Sequence, residues 1–139
     1  MIYIFSDDSR LGRKGLEIVE ALDLPIRVVN INKDSLSNII WLEIVAMLNC
    51  ELKTIFNIDS ELKIEGLDAD NFVKADYLNL VKENPSILKN PIAIKGSEVL
   101  RIFDKKEIFQ FYSEIKSEET FYNVSLQQTQ KINKPLRAI

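Results

Sequence analysis

Strand, helix and strand are packed into the stretch from Ile2 to Ile31, and a chain that begins this way has few folds open to it. Ile2-Tyr3-Ile4-Phe5 is a short β-prone run, and Ser6-Asp7-Asp8-Ser9 is a polar turn rich in residues that cap helices. From Leu11 to Leu22 apolar residues recur at Leu16, Val19 and Leu22, widened by Ile18 and Ala21, while Arg13, Lys14, Glu17 and Glu20 lie off the stripe. That spacing predicts a helix with one core-facing side. Leu24-Pro25 ends it, because the residue before proline is pushed out of the α region, and Ile26 to Ile31 reads as a second strand. A crossover helix between strands calls for a parallel pair.

Asp34 and Ser35 then read as the start of a second helix, whose apolar positions Leu36, Ile39, Ile40, Ile44, Met47 and Leu48 predict a well-buried element around Trp41. Residues 50–75 carry weaker periodicity, with Leu52, Ile55, Phe56, Leu62, Ile64 and Leu67 spaced for short helices. Asp76 to Glu83 predicts another helix, stopped at Asn84-Pro85. Pro91 to Ile94 and Glu98 to Phe103 flank Lys95-Gly96-Ser97, the pattern of an antiparallel hairpin. Asp104 is placed to cap a last core helix through Ile108, Phe109, Phe111 and Tyr112. A parallel opening and an antiparallel closing hairpin predict a mixed sheet of about four strands with helices on both faces. The domain is expected to span residues 1–116, with an inserted helical region at 33–75. Residues 117–139, rich in Gln and Lys, are expected to form a polar tail with a short helix.

Composition removes several chemistries. Histidine is absent and Cys50 is the one cysteine, so Ser-His and Cys-His catalysis, a CxxC pair and an intrachain disulfide are all excluded. The usual zinc ligand set is missing for the same reason, and no metal or cofactor is expected. With 18 basic and 21 acidic residues the net charge is −3, which disfavours strong direct binding to DNA by counterion release. No apolar run approaches the ~18 residues of a membrane span, and Met1 leads straight into a strand, so the expected location is the cytoplasm.

The order of elements matches the thioredoxin-like fold of the glutaredoxin type. Within it, Tyr77-Leu78-x-Leu80-Val81-x-Glu83-Asn84-Pro85-x-Ile87-Leu88-Lys89-x-Pro91-Ile92-x-Ile94, followed by Phe103-Asp104-x-x-Glu107-Ile108, resembles the family of Spx transcriptional regulators and glutaredoxin-like arsenate reductases. Glu119-Thr120-Phe121-x-x-x-Ser125-Leu126-x-x-x-Gln130 is similar to the Spx ending and favours Spx over the reductases. The resemblance covers nearly the whole chain and is loosest over 33–75.

What the resemblance implies is a degenerate redox site. Alignment on Arg13 and Leu16 puts Ser9 where the family carries its nucleophilic cysteine and Gly12 at the second position of the CxxC or CxxS pair. Asn90 stands where the family has an arginine, just before the proline that Pro91 matches and that is cis in the family. A serine hydroxyl without a nearby base cannot replace a thiolate in disulfide or arsenate chemistry. Ser9 is therefore expected to be a helix cap, in preference to a residual anion site built on backbone N–H groups with Arg10 and Arg13, which Asp7 and Asp8 would oppose. Cys50 has no adjacent base and reads as a packed thiol.

Two functional classes follow. One is a redox-inactive Spx-like regulator that docks on the C-terminal domain of the α subunit of RNA polymerase or on a related protein, with Arg10, Met47, Cys50 and Glu51 as candidate partner-binding residues. In the family that surface includes a glycine near the position of Glu51, where a charged side chain changes the close approach. The other is an oxidoreductase or arsenate reductase relative, which the Ser9, Gly12 and Asn90 combination counts against. A third, an adaptor on the same scaffold, has no residue that names its partner.

Overall fold

The computed structural model describes residues 1–58 and 73–117. In it β1 (Ile2–Phe5), α1 (Arg10–Ala21) and β2 (Arg27–Asn30) make the opening unit, with β1 and β2 parallel and Ile4 opposite Val29. α2 (Asn38–Leu48), α3 (Leu52–Ile55) and α4 (Lys74–Glu83) follow, then a 3-10 turn at Pro85–Ile87. β3 (Ile92–Lys95) and β4 (Glu98–Arg101) form the hairpin. They are joined through Gly96, whose φ of 60° is the left-handed conformation such tight turns require. β3 pairs antiparallel with β1, giving one mixed four-stranded sheet in the order β2-β1-β3-β4. Residues 1–108 form one compact unit, and the last described helix is α5 (Lys106–Ser117).

Side chains alternate across a sheet, so register assigns each residue to a face. Ile4, Ile92 and Arg101 lie in one row and Ile2, Ile94 and Val99 in the next on the same face. This face carries the main apolar cluster, in which Ile4, Val29, Ile92 and Ile94 meet Trp41, Ile44 and Val45 of α2, Leu52 and Ile55 of α3 and Tyr77, Leu80 and Val81 of α4. Tyr3, Phe5 and Ala93 point the other way, toward α1, and all three are buried. There the Tyr3 hydroxyl donates to the Gly12 carbonyl at 2.8 Å. A β-carbon on Gly15 would overlap that hydroxyl and the Ile108 side chain, so α1 can pack this closely only with glycine there.

Two expectations need correction. The second helix starts at Asn38 rather than near Asp34, because Ser37 is the residue whose side chain accepts from the Ile40 amide. That helix is also not buried all round. Trp41, Ile44 and Val45 face inward, whereas Ile39, Ile40 and Met47 are 69%, 39% and 45% exposed. An apolar helix laid on a flat sheet can cover only one of its sides, and here the side with the largest residue went in. The Trp41 ring meets Phe56 edge-on, with centroids 5.0 Å apart.

The helix at Asp76 to Glu83 is present and starts slightly earlier; the Asp76 carboxylate accepts from the Val73 amide at 2.9 Å. Asp104 caps the last helix by accepting from the Lys106 amide at 2.9 Å, and Glu107 reaches back to accept from the Phe103 and Asp104 amides. The expected short helices around Leu62, Ile64 and Leu67, and the polar tail matched at 119–130, lie outside the described residues. Among the described residues no helix is long and apolar enough to cross a membrane.

Candidate functional site

The carboxyl end of β1 and the start of β3 meet at one rim of the sheet, where the chain turns into α1. Ser6 and Ser9 are the buried polar residues of this turn. The Ser6 hydroxyl donates to Asn32 Oδ1 at 2.9 Å, and the same oxygen accepts from the Asp7 amide. Asn32 and Asn30 in turn donate their side-chain amides to Asp8 and Asp7, at 2.9 and 2.7 Å. The loop is thus pinned to the residues that leave β2, and both of its carboxylates are engaged by neutral donors.

Ser9 occupies the N-cap of α1 with extended backbone, as its type favours. Its Oγ accepts from the Gly12 amide at 2.9 Å and donates to the Lys89 carbonyl at 2.7 Å. The hydroxyl proton therefore points to a peptide oxygen, which is no base, while the oxygen accepts one backbone amide. Gly12 is buried, and a β-carbon there would sit 3.1 Å from Phe5 Cβ and from the Ser6 carbonyl. Any larger residue at this position requires its neighbours to give way. Arg13 donates through Nη1 to the Asp7 carbonyl, while Arg10 is exposed.

The Ser9 bond to Lys89 carries the helix start to Asn90 and Pro91, so the structure does bring together the positions that the resemblance selects. Asn90 is held from both ends. Its Nδ2 donates to the Ile102 carbonyl at 2.9 Å, and its Oδ1 accepts from Arg101 Nη2 at 3.3 Å. Pro91 is buried, and its carbonyl accepts from the Ile102 amide at 2.8 Å.

Arg101 is the functional candidate that sequence reasoning missed. It closes β4 directly across from Ile92, so the hairpin register sets it next to Asn90. The register of Pro91 to Phe103 was the available signal. Its guanidinium lies over the Phe103 ring at 4.9 Å from the centroid, and Nε is buried without a hydrogen-bond partner among the described residues. Desolvation by burial holds this guanidinium below its ordinary range, and Coulomb attraction to negative charge on the Cys50 sulfur acts in the opposite direction.

The proposed partner-binding residues divide between the two faces of the sheet. Met47, Cys50 and Glu51 lie together at the end of α2, which stops at Asn49 in the left-handed conformation. Met47 and Glu51 are exposed and Cys50 is half-buried. Cys50 and Glu51 also border an open groove of about 970 Å³ with Leu42, Val45 and Tyr77. Arg10 belongs to α1 on the opposite face and is not part of this group. Among the described residues no cluster of His, Cys, Asp and Glu is arranged to hold a metal ion.

No protein-family model matches the chain, and no curated protein matches it in sequence. Solved structures do match. A protein described as "Putative arsenate reductase from Yersinia pestis" superposes with a TM-score of 0.61 at 16% identity, over 81% of this chain and 97% of the other. A protein named YFFB superposes with a TM-score of 0.60 at 13% identity, over 79% of this chain and 96% of the other. At such identities the likeness establishes architecture and leaves the preference for Spx resting on sequence resemblance alone. The chain therefore has the α/β thioredoxin-like fold shared by arsenate reductase-like proteins.

Proposed function

We propose that this protein is a redox-inactive, Spx-like regulator that works by binding a protein partner, the C-terminal domain of the α subunit of RNA polymerase. The observation that carries the reading is the state of Ser9. At the helix start where this scaffold otherwise presents a thiolate, the hydroxyl is tied to the Gly12 amide and the Lys89 carbonyl. No base adjoins it, and Asn90, at the family's arginine position, is itself bound at both ends of its amide. A hydroxyl nucleophile needs a base to take its proton, and this one gives its proton to a peptide carbonyl instead. What the scaffold retains is surface, and protein recognition requires exposed anchors and no nucleophile.

Titration of the purified protein with that polymerase domain tests the reading, at several salt concentrations so that nonspecific charge attraction is recognised. Saturable binding that persists at about 0.15 M salt, the physiological ionic strength, is expected. Parallel assays with arsenate and a glutathione–glutaredoxin reducing system are expected to show no turnover. Thiol-dependent arsenate reduction by the pure protein would sink the redox-inactive part, and absence of saturable binding would sink the partner.

A further inference from the structure

Going beyond that reading and not resting on it, we propose that the outer edge of β4 takes an extended segment of another protein as a fifth strand, with a glutamate or aspartate of the segment paired to Arg101. The sheet order β2-β1-β3-β4 gives β4 a neighbour on one side only. Bonds to that neighbour alternate along an antiparallel strand, and the Ile102 amide donates to the Pro91 carbonyl, so Leu100 and Glu98 also turn their backbone groups toward β3. Val99 and Arg101 therefore turn theirs outward, and no backbone group among the described residues meets them. Unpaired N–H and C=O groups along an edge are a template for a further strand. The opposite edge offers less, because β2 ends at Asn30, whose carbonyl accepts from the Lys33 and Asp34 amides of its own turn.

The side chains along this edge say which segment fits. Val99 and Arg101 are half-buried on one face, and the Arg101 guanidinium lies over Phe103, which is 63% exposed. That guanidinium donates to Asn90, forms no ion pair among the described residues and keeps Nε without a partner. Glu98, the one acid of β4, stands on the other face and is paired with Lys95 at 3.5 Å. A cation between Val99 and Phe103 is matched by a carboxylate with apolar neighbours, whereas a wholly apolar segment would strip its water and return nothing. A second copy of this chain matches less well. Outward groups pair only with outward groups, so two antiparallel β4 strands would set Arg101 against Val99 or another Arg101 and leave both Glu98 side chains on the opposite face.

The probe is a fluorescent synthetic peptide, Lys-Val-Thr-Glu-Thr-Val-Thr, whose Val and Glu side chains share one face when extended, titrated with the full-length protein and read by anisotropy. Saturable binding is expected, weakened about tenfold when Gln replaces the peptide's Glu. Arg101→Gln is expected to weaken the Glu peptide to the same degree and to bind both peptides alike. Val99→Pro removes an outward amide and no bond to β3, so it is expected to lose the peptide while keeping the fold. Arg27→Gln, the same charge change on exposed β2, is expected to bind as wild type does. Far-UV circular dichroism and Trp41 emission check folding, and the Arg101→Gln comparison decides alone if Val99→Pro does not fold. No saturable binding by wild type, equal affinity of wild type for both peptides, or equal losses in Arg101→Gln and Arg27→Gln would overturn the proposal. A dimer in sedimentation that Val99→Pro dissolves would give the edge to a second copy and overturn it too. Each of these outcomes is independent of the polymerase titration.

Discussion

Ser9 ties two backbone segments together with one hydroxyl. Oxygen at the N-cap is a strong acceptor for the Gly12 amide and a donor to Lys89, so it serves as a fastener between α1 and the entry to β3. Ser9→Ala removes the cap and leaves the Lys89 carbonyl without this donor. Urea unfolding is expected to show a loss of about 1–2 kcal/mol. Two glycines separate steric from conformational demand. A β-carbon at Gly15 would overlap Tyr3 and Ile108, whereas one at Gly96 meets nothing within 4 Å and suffers only from its positive φ. Gly15→Ala is therefore expected to cost about 1–3 kcal/mol through overpacking, and Gly96→Ala about 1 kcal/mol through backbone strain. A Gly15→Ala protein as stable as wild type would contradict the packing of α1 on Tyr3.

At the level of elements, α2 is packed on one side and exposed on the other. Its inner side supplies Trp41, 1% exposed, to the cluster that holds the helices on the sheet. Trp41→Ala is expected to destabilise by about 3–5 kcal/mol, since a cavity of that size cannot fully collapse. Because this is the one tryptophan in the chain, its emission reports the native cluster directly and should shift to the red on unfolding. An emission maximum already at the solvent-exposed value in buffer would argue against this packing. The hairpin is the second informative element. Its short turn fixes the pairing of Ile92 with Arg101, and that pairing alone delivers a cation to Asn90 from the far strand of the hairpin. A positive group thus lies near the start of β3, beside the amide side chain that precedes Pro91.

For the whole molecule, stability should be indifferent to redox conditions. A chain with one cysteine has no intrachain disulfide to lose, and Cys50 lies at the end of α2, outside the α1 entry loop. Thermal unfolding with and without dithiothreitol is expected to give the same midpoint; a reductant-dependent shift would reveal a covalent link through Cys50. The absence of histidine removes the side chain that ordinarily titrates near neutrality.

Local rules carried much of this in the sequence. Periodicity marked α1, prolines bounded its end and the entry to β3, Gly96 marked the hairpin, and the parallel opening with an antiparallel close dictated a mixed sheet. The absence of histidine and of a cysteine pair bounded the chemistry before any coordinates, since missing atoms cannot be supplied by folding. Tertiary structure alone decided the rest. Which side of α2 turned inward was undetermined by a pattern apolar on nearly every side, and only packing against the sheet chose Trp41 over Ile39. The hairpin register already set Arg101 opposite Ile92, but only packing buried its Nε and laid its guanidinium over Phe103, because burial depends on everything that gathers around a side chain.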